Sequence, residues 1–548
     1  MKKTVLPATK YYDLKRSHMD RKFSVPMKKV EKTEKDVSSS SSEEVLINLP
    51  HKKKSPNFNY KYNIPRETTQ QHQIKKGILL NPSFLKLTRM VSVTLSEASR
   101  SRSKKVCVIG AGPSGLVSAR ELRKEGHKVV VMEQNNDVGG QWLYQPNVKE
   151  EDPLGSVPTN GALKVHSSIY SSLRLTSPRE IMGYSDFPFL AKKGRDMRRF
   201  PGHKELWLYL KDFSEAFGVR EMIRFNVRVE FVGEEDKNED VKRWIVRSKE
   251  KLSGKVTEEI FDAVVVATGH YSHPRLPSIK GMDSWKRKQV HSHVYRVPDP
   301  FRNEVVVVVG NSMSGQDISI ELVEEAKEVH LSSKSLDITS GLSKVISKYP
   351  NLHLQPQIEC LKDDGRVIFV DGSWVVADTI LYCTGYSYKF PFLESKGRVE
   401  VDDDRVGPLF EHTFPPPLSP SLSFVGIPRK LIGFPFFEAQ AKWIAQVLSG
   451  KLSLPSSDQM LQSVADFYRS RDLAGVPKHN THDIADFTYC DKYADYVGFP
   501  HLEEWRKLLC LSALDNSQEN LETYRDCWDD HELLQEAMQS SHFTNFNS

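Results

Sequence analysis

No run of about 18 uninterrupted apolar residues exists, the length a membrane-spanning helix needs. The longest apolar candidate, Leu422 to Leu448, is broken by Arg429, Lys430, Glu438 and Lys442. No integral membrane association is expected. Cysteine is scarce: six in 548 residues (Cys107, Cys360, Cys383, Cys490, Cys510, Cys527), with no Cys-x-x-Cys. That argues against a disulfide scaffold, a zinc site and a dithiol redox centre together, and fits a reducing, cytoplasmic compartment. The histidines His270, His273, His291 and His293 show no metal-ligand spacing, so no metal is expected. A dominant sign of charge is missing too, since 77 Lys+Arg stand against 71 Asp+Glu.

The net +6 is unevenly placed. Residues 1–103 carry 22 Lys+Arg against 9 Asp+Glu, while the rest is mildly acidic. This segment, with Lys52-Lys53-Lys54 and the serine run Ser38–Ser42, has little periodic apolar patterning and reads as a disordered basic tail. It lacks the apolar core of a secretory signal and has too many acids for an ordinary transit peptide. Met90 would be an ordinary start just before the folded part. Nothing in the tail argues for nucleic acid as a partner of the body.

What is present begins at Val106–Glu133. Val106–Ile109 is an apolar strand, and Gly110, Gly112 and Gly115 form G-x-G-x-x-G. Leu116, Ala119 and Leu122 share one helix face. Gly126 ends that helix, and a second strand, Val129–Met132, runs to Glu133. This is the order of a dinucleotide-binding βαβ unit. Its glycines allow the tight turn, the approach of backbone to pyrophosphate, and close packing of helix on strand. The helix start offers free N–H groups to phosphate, and the terminal acid suits ribose hydroxyls. Gly139-Gly140-Gln141-Trp142 follows as a turn over a bulky cofactor and favours FAD.

Val305–Lys334 repeats the design. Val305–Val309 is a buried-type strand. Gly310-Asn311-Ser312 and Gly315 give G-x-S-x-x-G, Ile318 and Leu322 mark the helix, and Val329–Leu331 begins the next strand. Where the first unit ends in an acid, this one ends in Ser332-Ser333-Lys334. An acid would repel a 2′-phosphate; hydroxyls and a lysine would bind one, so this unit reads as the NADPH site. Two look-alike strands ending in Thr-Gly, Ala263–Gly269 and Thr379–Gly385, bracket the second unit. They suggest a chain that crosses out of the first domain and back. The fold expected is α/β with two Rossmann-like domains, the NADPH domain inserted into the FAD domain. The limits are 1–103 for the tail, 104–275 for the first part of the FAD domain, 276–385 for the NADPH domain, and 386–548 for FAD-domain completion and C-terminal helices.

From about Lys104 to Leu452 these motifs resemble the flavin-containing monooxygenases, most closely the plant S-oxygenating branch acting on methylthioalkyl glucosinolates. Besides both fingerprints, the resemblance rests on Pro178-Arg179-Glu180-x-Met182-Gly183, Phe200-Pro201-Gly202-His203 and the segment Trp285-x-Arg287-x-x-x-His291-x-x-x-Tyr295. In that segment Arg287 replaces the family's glycine. Thr176, just before Pro178, occupies the place of an asparagine that the family holds near its reactive flavin adduct. The resemblance implies that NADPH reduces FAD, that O2 then forms a C4a-hydroperoxyflavin, and that a small thioether takes one oxygen atom to become a sulfoxide. It implies Thr176 as the catalytic side chain and a structural place for His291 near NADP. Phe434, Phe436 and Phe437 read more readily as core than as cofactor lining, although by analogy their helix lies close to the flavin. A homodimer stays open. So do an NADPH oxidase, an amine or keto-acid oxygenase of the same fold, and a non-catalytic flavin-binding regulator.

Overall fold

The computed structural model describes residues 103–148, 153–154, 167–235, 242–430 and 432–545. The basic tail and Met90 lie outside the described residues.

Two five-stranded parallel sheets organise the chain. The first runs in the order Leu422–Phe424, Ala263–Val266, Lys105–Ile109, Lys128–Met132, Ile223–Arg224. The second runs Lys288–His291, Thr379–Tyr382, Val305–Val309, Glu328–Ser332, Leu352–Gln355. Every strand of the second falls in sequence between Ala263–Val266 and Leu422–Phe424, neighbours in the first. The two Thr-Gly strands therefore belong to different sheets, each paired in parallel with the strand that leads into its own glycine turn. Just beyond them the two crossing segments meet. Arg275 N–H donates to Gly385 O at 2.9 Å and Ser387 N–H to His273 O at 2.8 Å, an antiparallel link at Pro274 and Tyr386.

The central strands are buried on both faces, as parallel strands covered by helices and connections must be. Val106, Cys107 and Val108 are inaccessible in one sheet, and Val306, Val307 and Val308 in the other. The first glycine turn leads into the helix Pro113–Lys124, whose Leu116, Ala119 and Leu122 are fully buried. Proline at its first position fits, because the N–H it lacks would have no partner there. A later helix, Gly433–Leu448, packs on it in the largest core cluster. Two antiparallel meanders complete the crossovers: Val227–Glu234, Trp244–Glu250 and Val256–Phe261 on the first sheet, and Ile358–Leu361, Arg366–Phe369 and Trp374–Val376 on the second. No helix among the described residues is long and apolar enough to cross a membrane.

Candidate functional site

Both glycine turns are built alike. Gly110 has φ +104° and Gly310 φ +112°, the left-handed region that disfavours a side chain. A Cβ on Gly110 would lie 2.6 Å from Ala267 O; one on Gly310 would lie 2.6 Å from Cys383 O. Gly115 and Gly315 repeat the correspondence, since a Cβ there would meet Gly110 O at 1.9 Å and Gly310 O at 1.8 Å. These positions press the helix onto its strand, and the equivalence of Ala267 with Cys383 marks an internal duplication.

Neither helix is capped by a side chain, and neither carries an acid in its first turn. Their first N–H groups are left to an outside acceptor, and the partial positive charge suits an anion. Gly112 and Gly140 face each other so closely that a Cβ on Gly140 would lie 2.9 Å from Gly112 Cα. These features fit a pyrophosphate at each turn.

One cavity of about 950 Å³ reaches both turns. Gly110, Gly112, Glu133, Gly140, Gln141 and Trp142 line it on the first side, and Ser312 and Met313 on the second. Thr176 lies on its wall with Leu175 and Ser177. Phe434, Phe436 and Phe437 line it as well, while Phe434 and Phe436 are also buried in the core. The two readings offered for these aromatics are therefore compatible. His270 lines the cavity and holds Gly426 O through Nδ1 at 3.0 Å. Desolvation lowers its pKa to about 4 and keeps it neutral.

The remaining motif residues stand behind or beside that wall. Glu133 is buried, and its Oε2 accepts the Ala111 N–H at 2.7 Å while Oε1 accepts the Asn135 N–H at 2.8 Å. Burial pushes this carboxyl up and those N–H bonds pull it down. The acid thus braces the glycine turn as well as facing the cavity. Asn311 Oδ1 accepts from Gln316 Nε2 at 3.0 Å. Ser332 is buried with its hydroxyl donating to Pro356 O at 2.9 Å, so of the serine pair only Ser333 keeps a hydroxyl proton to offer. Lys334 is exposed just past the strand end. His291 is fully buried and does not line the cavity. Its Nδ1 accepts the His293 N–H at 3.0 Å, leaving Nε2 to donate to Gly385 O at 3.1 Å. It supports Gly385, which does line the cavity. Arg287 reaches Ala377 O at 2.7 Å and Asp364 O at 3.2 Å, against Gly365 and away from the cavity lining.

One residue that no motif announced ties the site together. Arg525, in the C-terminal segment, donates to both oxygens of Asp317 at 3.2 and 2.7 Å and through Nε to Leu175 O at 3.1 Å. Asp317 belongs to the helix Met313–Leu322 that follows the second turn, and Leu175 precedes Thr176. Arg174 adds a two-pronged bond to Asp526 at 2.7 and 2.8 Å. A local pattern could not reveal this: the only signal was arginine and aspartate in a segment read merely as helical.

Two Rossmann units whose glycine turns open into one cavity define a two-nucleotide flavoprotein. The chain belongs to the flavin-binding monooxygenase-like family, whose model matches residues 103–350 and 338–505. Flavin-containing monooxygenase FMO GS-OX-like 9 of Arabidopsis thaliana is 90% identical over 461 residues, covering 84% of this chain and 100% of that one. FMO GS-OX-like 8 of the same plant is 76% identical over 458 residues, 82% of this chain and 98% of that one. Among solved structures, S-allyl-L-cysteine S-oxygenase from Allium sativum superimposes with a TM-score of 0.76 at 45% identity, covering 81% of this chain and 99% of that one. The protein is a flavin-containing monooxygenase of the plant S-oxygenating branch, an enzyme class that uses FAD and NADPH.

Proposed function

We propose that the enzyme transfers one oxygen atom from O2 to the sulfur of a small thioether, a methylthioalkyl glucosinolate-like compound, giving a sulfoxide, water and NADP+ for each NADPH and proton consumed. The observation that carries this reading is the single cavity touching Gly112 on one side and Ser312 on the other. The names of the relatives favour sulfur as the acceptor. On this reading Gly110, Gly112, Gly115, Glu133, Gly140, Gln141 and Trp142 hold FAD. Gly310, Asn311, Ser312, Gly315 and Lys334 hold NADPH, with His291 supporting Gly385 beside them. Bound FAD supplies the electron transfer and oxygen activation.

The chain's own work is binding, orientation and exclusion of water. Thioether sulfur is a soft nucleophile and needs no protein base. The Thr176 hydroxyl, on the cavity wall, donates a hydrogen bond toward the reacting oxygen. Lys389 also lines the cavity, is exposed, and has no carboxylate partner among the described residues, which favours a substrate bearing an anionic substituent. The same reading divides the chain into flavin parts at 104–275 and 386–548 around a nicotinamide part at 276–385, in the cytoplasm.

A second reading, an NADPH oxidase releasing H2O2, rests on the shorter reach of Thr176 where the family holds asparagine. Holoenzyme incubated with NADPH and a panel of thioethers separates the two. The proposal expects sulfoxide in step with NADPH consumption. NADPH consumption matched by H2O2, with no sulfoxide from any thioether, overturns it.

A further inference from the structure

We infer that Glu328, His330 and His353 form a binding site for one divalent transition-metal ion, Zn2+, at the edge of the second sheet. The three lie on two neighbouring parallel strands, Glu328–Ser332 and the edge strand Leu352–Gln355. Glu328 and His330 are two residues apart and so point to the same face. The strand pairing sets His353 directly beside His330. Their ligating atoms all lie within 4.8 Å of one another. His330 Nε2 is 3.2 Å from Glu328 Oε2, and the two imidazole rings are 4.8 Å apart at 31°.

Two imidazoles and a carboxylate are a donor set that Zn2+ takes, with water completing four-coordination. An outer support is already in place. The Gln355 side-chain amide lies 3.1 Å from His330 Nδ1, which fixes the ring and leaves Nε2 directed at the carboxylate. The amide can present its oxygen to an Nδ1–H equally well, the tautomer a metal on Nε2 requires. Glu328 and His353 are half-buried, which leaves the ion a path from solvent. None of the three lines the cavity, so the site is separate from the flavin chemistry. An ion there cross-links the edge strand to its neighbour, two residues before Ser332. The expectation of no metal came from spacing along the chain, and spacing cannot show a ligand contributed by the adjacent strand.

The test is a calorimetric titration of the full-chain holoenzyme with Zn2+ alone, repeated with Co2+ as a visible-absorption probe. His353→Ala and Glu328→Gln alter half-buried side chains, and retained flavin colour checks their folding. His501→Ala removes an exposed histidine paired with Asp495 at 2.7 Å and serves as the control. The expected result is one Zn2+ per chain, weakened at least about tenfold in both site variants but not in the control, with the Co2+ band lost in parallel. Failure of the parent to bind Zn2+, or binding unchanged in His353→Ala and Glu328→Gln, would overturn the assignment.

Discussion

Thr176 carries the sharpest consequence at the scale of single residues. It stands on the cavity wall, where a longer amide would reach further than its hydroxyl. Thr176→Asn is expected to lower the H2O2 released per NADPH and raise sulfoxide yield, measured as product ratios at saturating thioether. An unchanged or larger H2O2 fraction would count against its placement. The glycines were legible because their requirement is local: left-handed backbone at Gly110 and contact with its own turn at Gly115 leave one choice of residue. Glu133 was legible only in part. Its position at the strand end showed in the sequence, but its bond to the Ala111 N–H depends on the chain folding back. Lys334 and His291 were placed by spacing, which gives a strand end or a strand but not the direction of a side chain.

Between elements, buried charge joins what the periodicity left separate. Arg120 on the helix Pro113–Lys124 is 1% exposed and reaches Glu438 on Gly433–Leu448 at 2.8 Å. Glu438 also accepts the Ser185 N–H at 2.7 Å. Burial alone would push this carboxyl up. Lys442, Arg120 and the Ser185 N–H outweigh that effect and hold its pKa at about 2. A carboxyl whose folded pKa is depressed stabilises the fold above its unfolded pKa, near 4.5, and that stability is lost as pH falls toward 2. Unfolding free energy measured by denaturant titration should therefore drop between about pH 4.5 and 2, and less steeply in Glu438→Gln. At pH 7, Arg120→Met should cost no more than about 3 kcal/mol, the low end for breaking a buried pair, because Lys442 stays on the Glu438 carboxylate at 2.9 Å. A pH profile of Glu438→Gln identical to that of the parent would contradict the pairing. The three central strands of each parallel sheet are readable from their apolar runs, and the helices Pro113–Lys124, Met313–Leu322 and Gly433–Leu448 from their faces, whereas an edge strand such as Lys288–His291 has one apolar residue in four and gives no such signal. The antiparallel meanders are less legible, since a strand such as Val256–Phe261, mostly exposed, carries too few apolar positions to reveal its period.

Over the whole molecule, Arg525 in the C-terminal segment positions the site without lining the cavity. Arg525 spans from Leu175, beside Thr176, to Asp317 on the helix Met313–Leu322, and Tyr170 donates to the same Asp317 at 3.2 Å. Such a fork holds two separate parts of the cavity in one register. Arg525→Lys, which keeps the charge but loses the fork, should raise the KM for NADPH and the H2O2 fraction while retaining bound flavin. A change confined to thermal stability would leave Arg525 a structural residue only. Contacts of this range join residues far apart in sequence, which is why no motif disclosed them. Under the proposed function, electrons from NADPH and an oxygen atom from O2 meet at one cavity. Mass spectrometry of the sulfoxide formed under 18O2 tests this most directly. The expected result is one 18O atom per product molecule and one NADPH oxidised for each. Sulfoxide carrying oxygen from water, or NADPH oxidised with no labelled product, would contradict it.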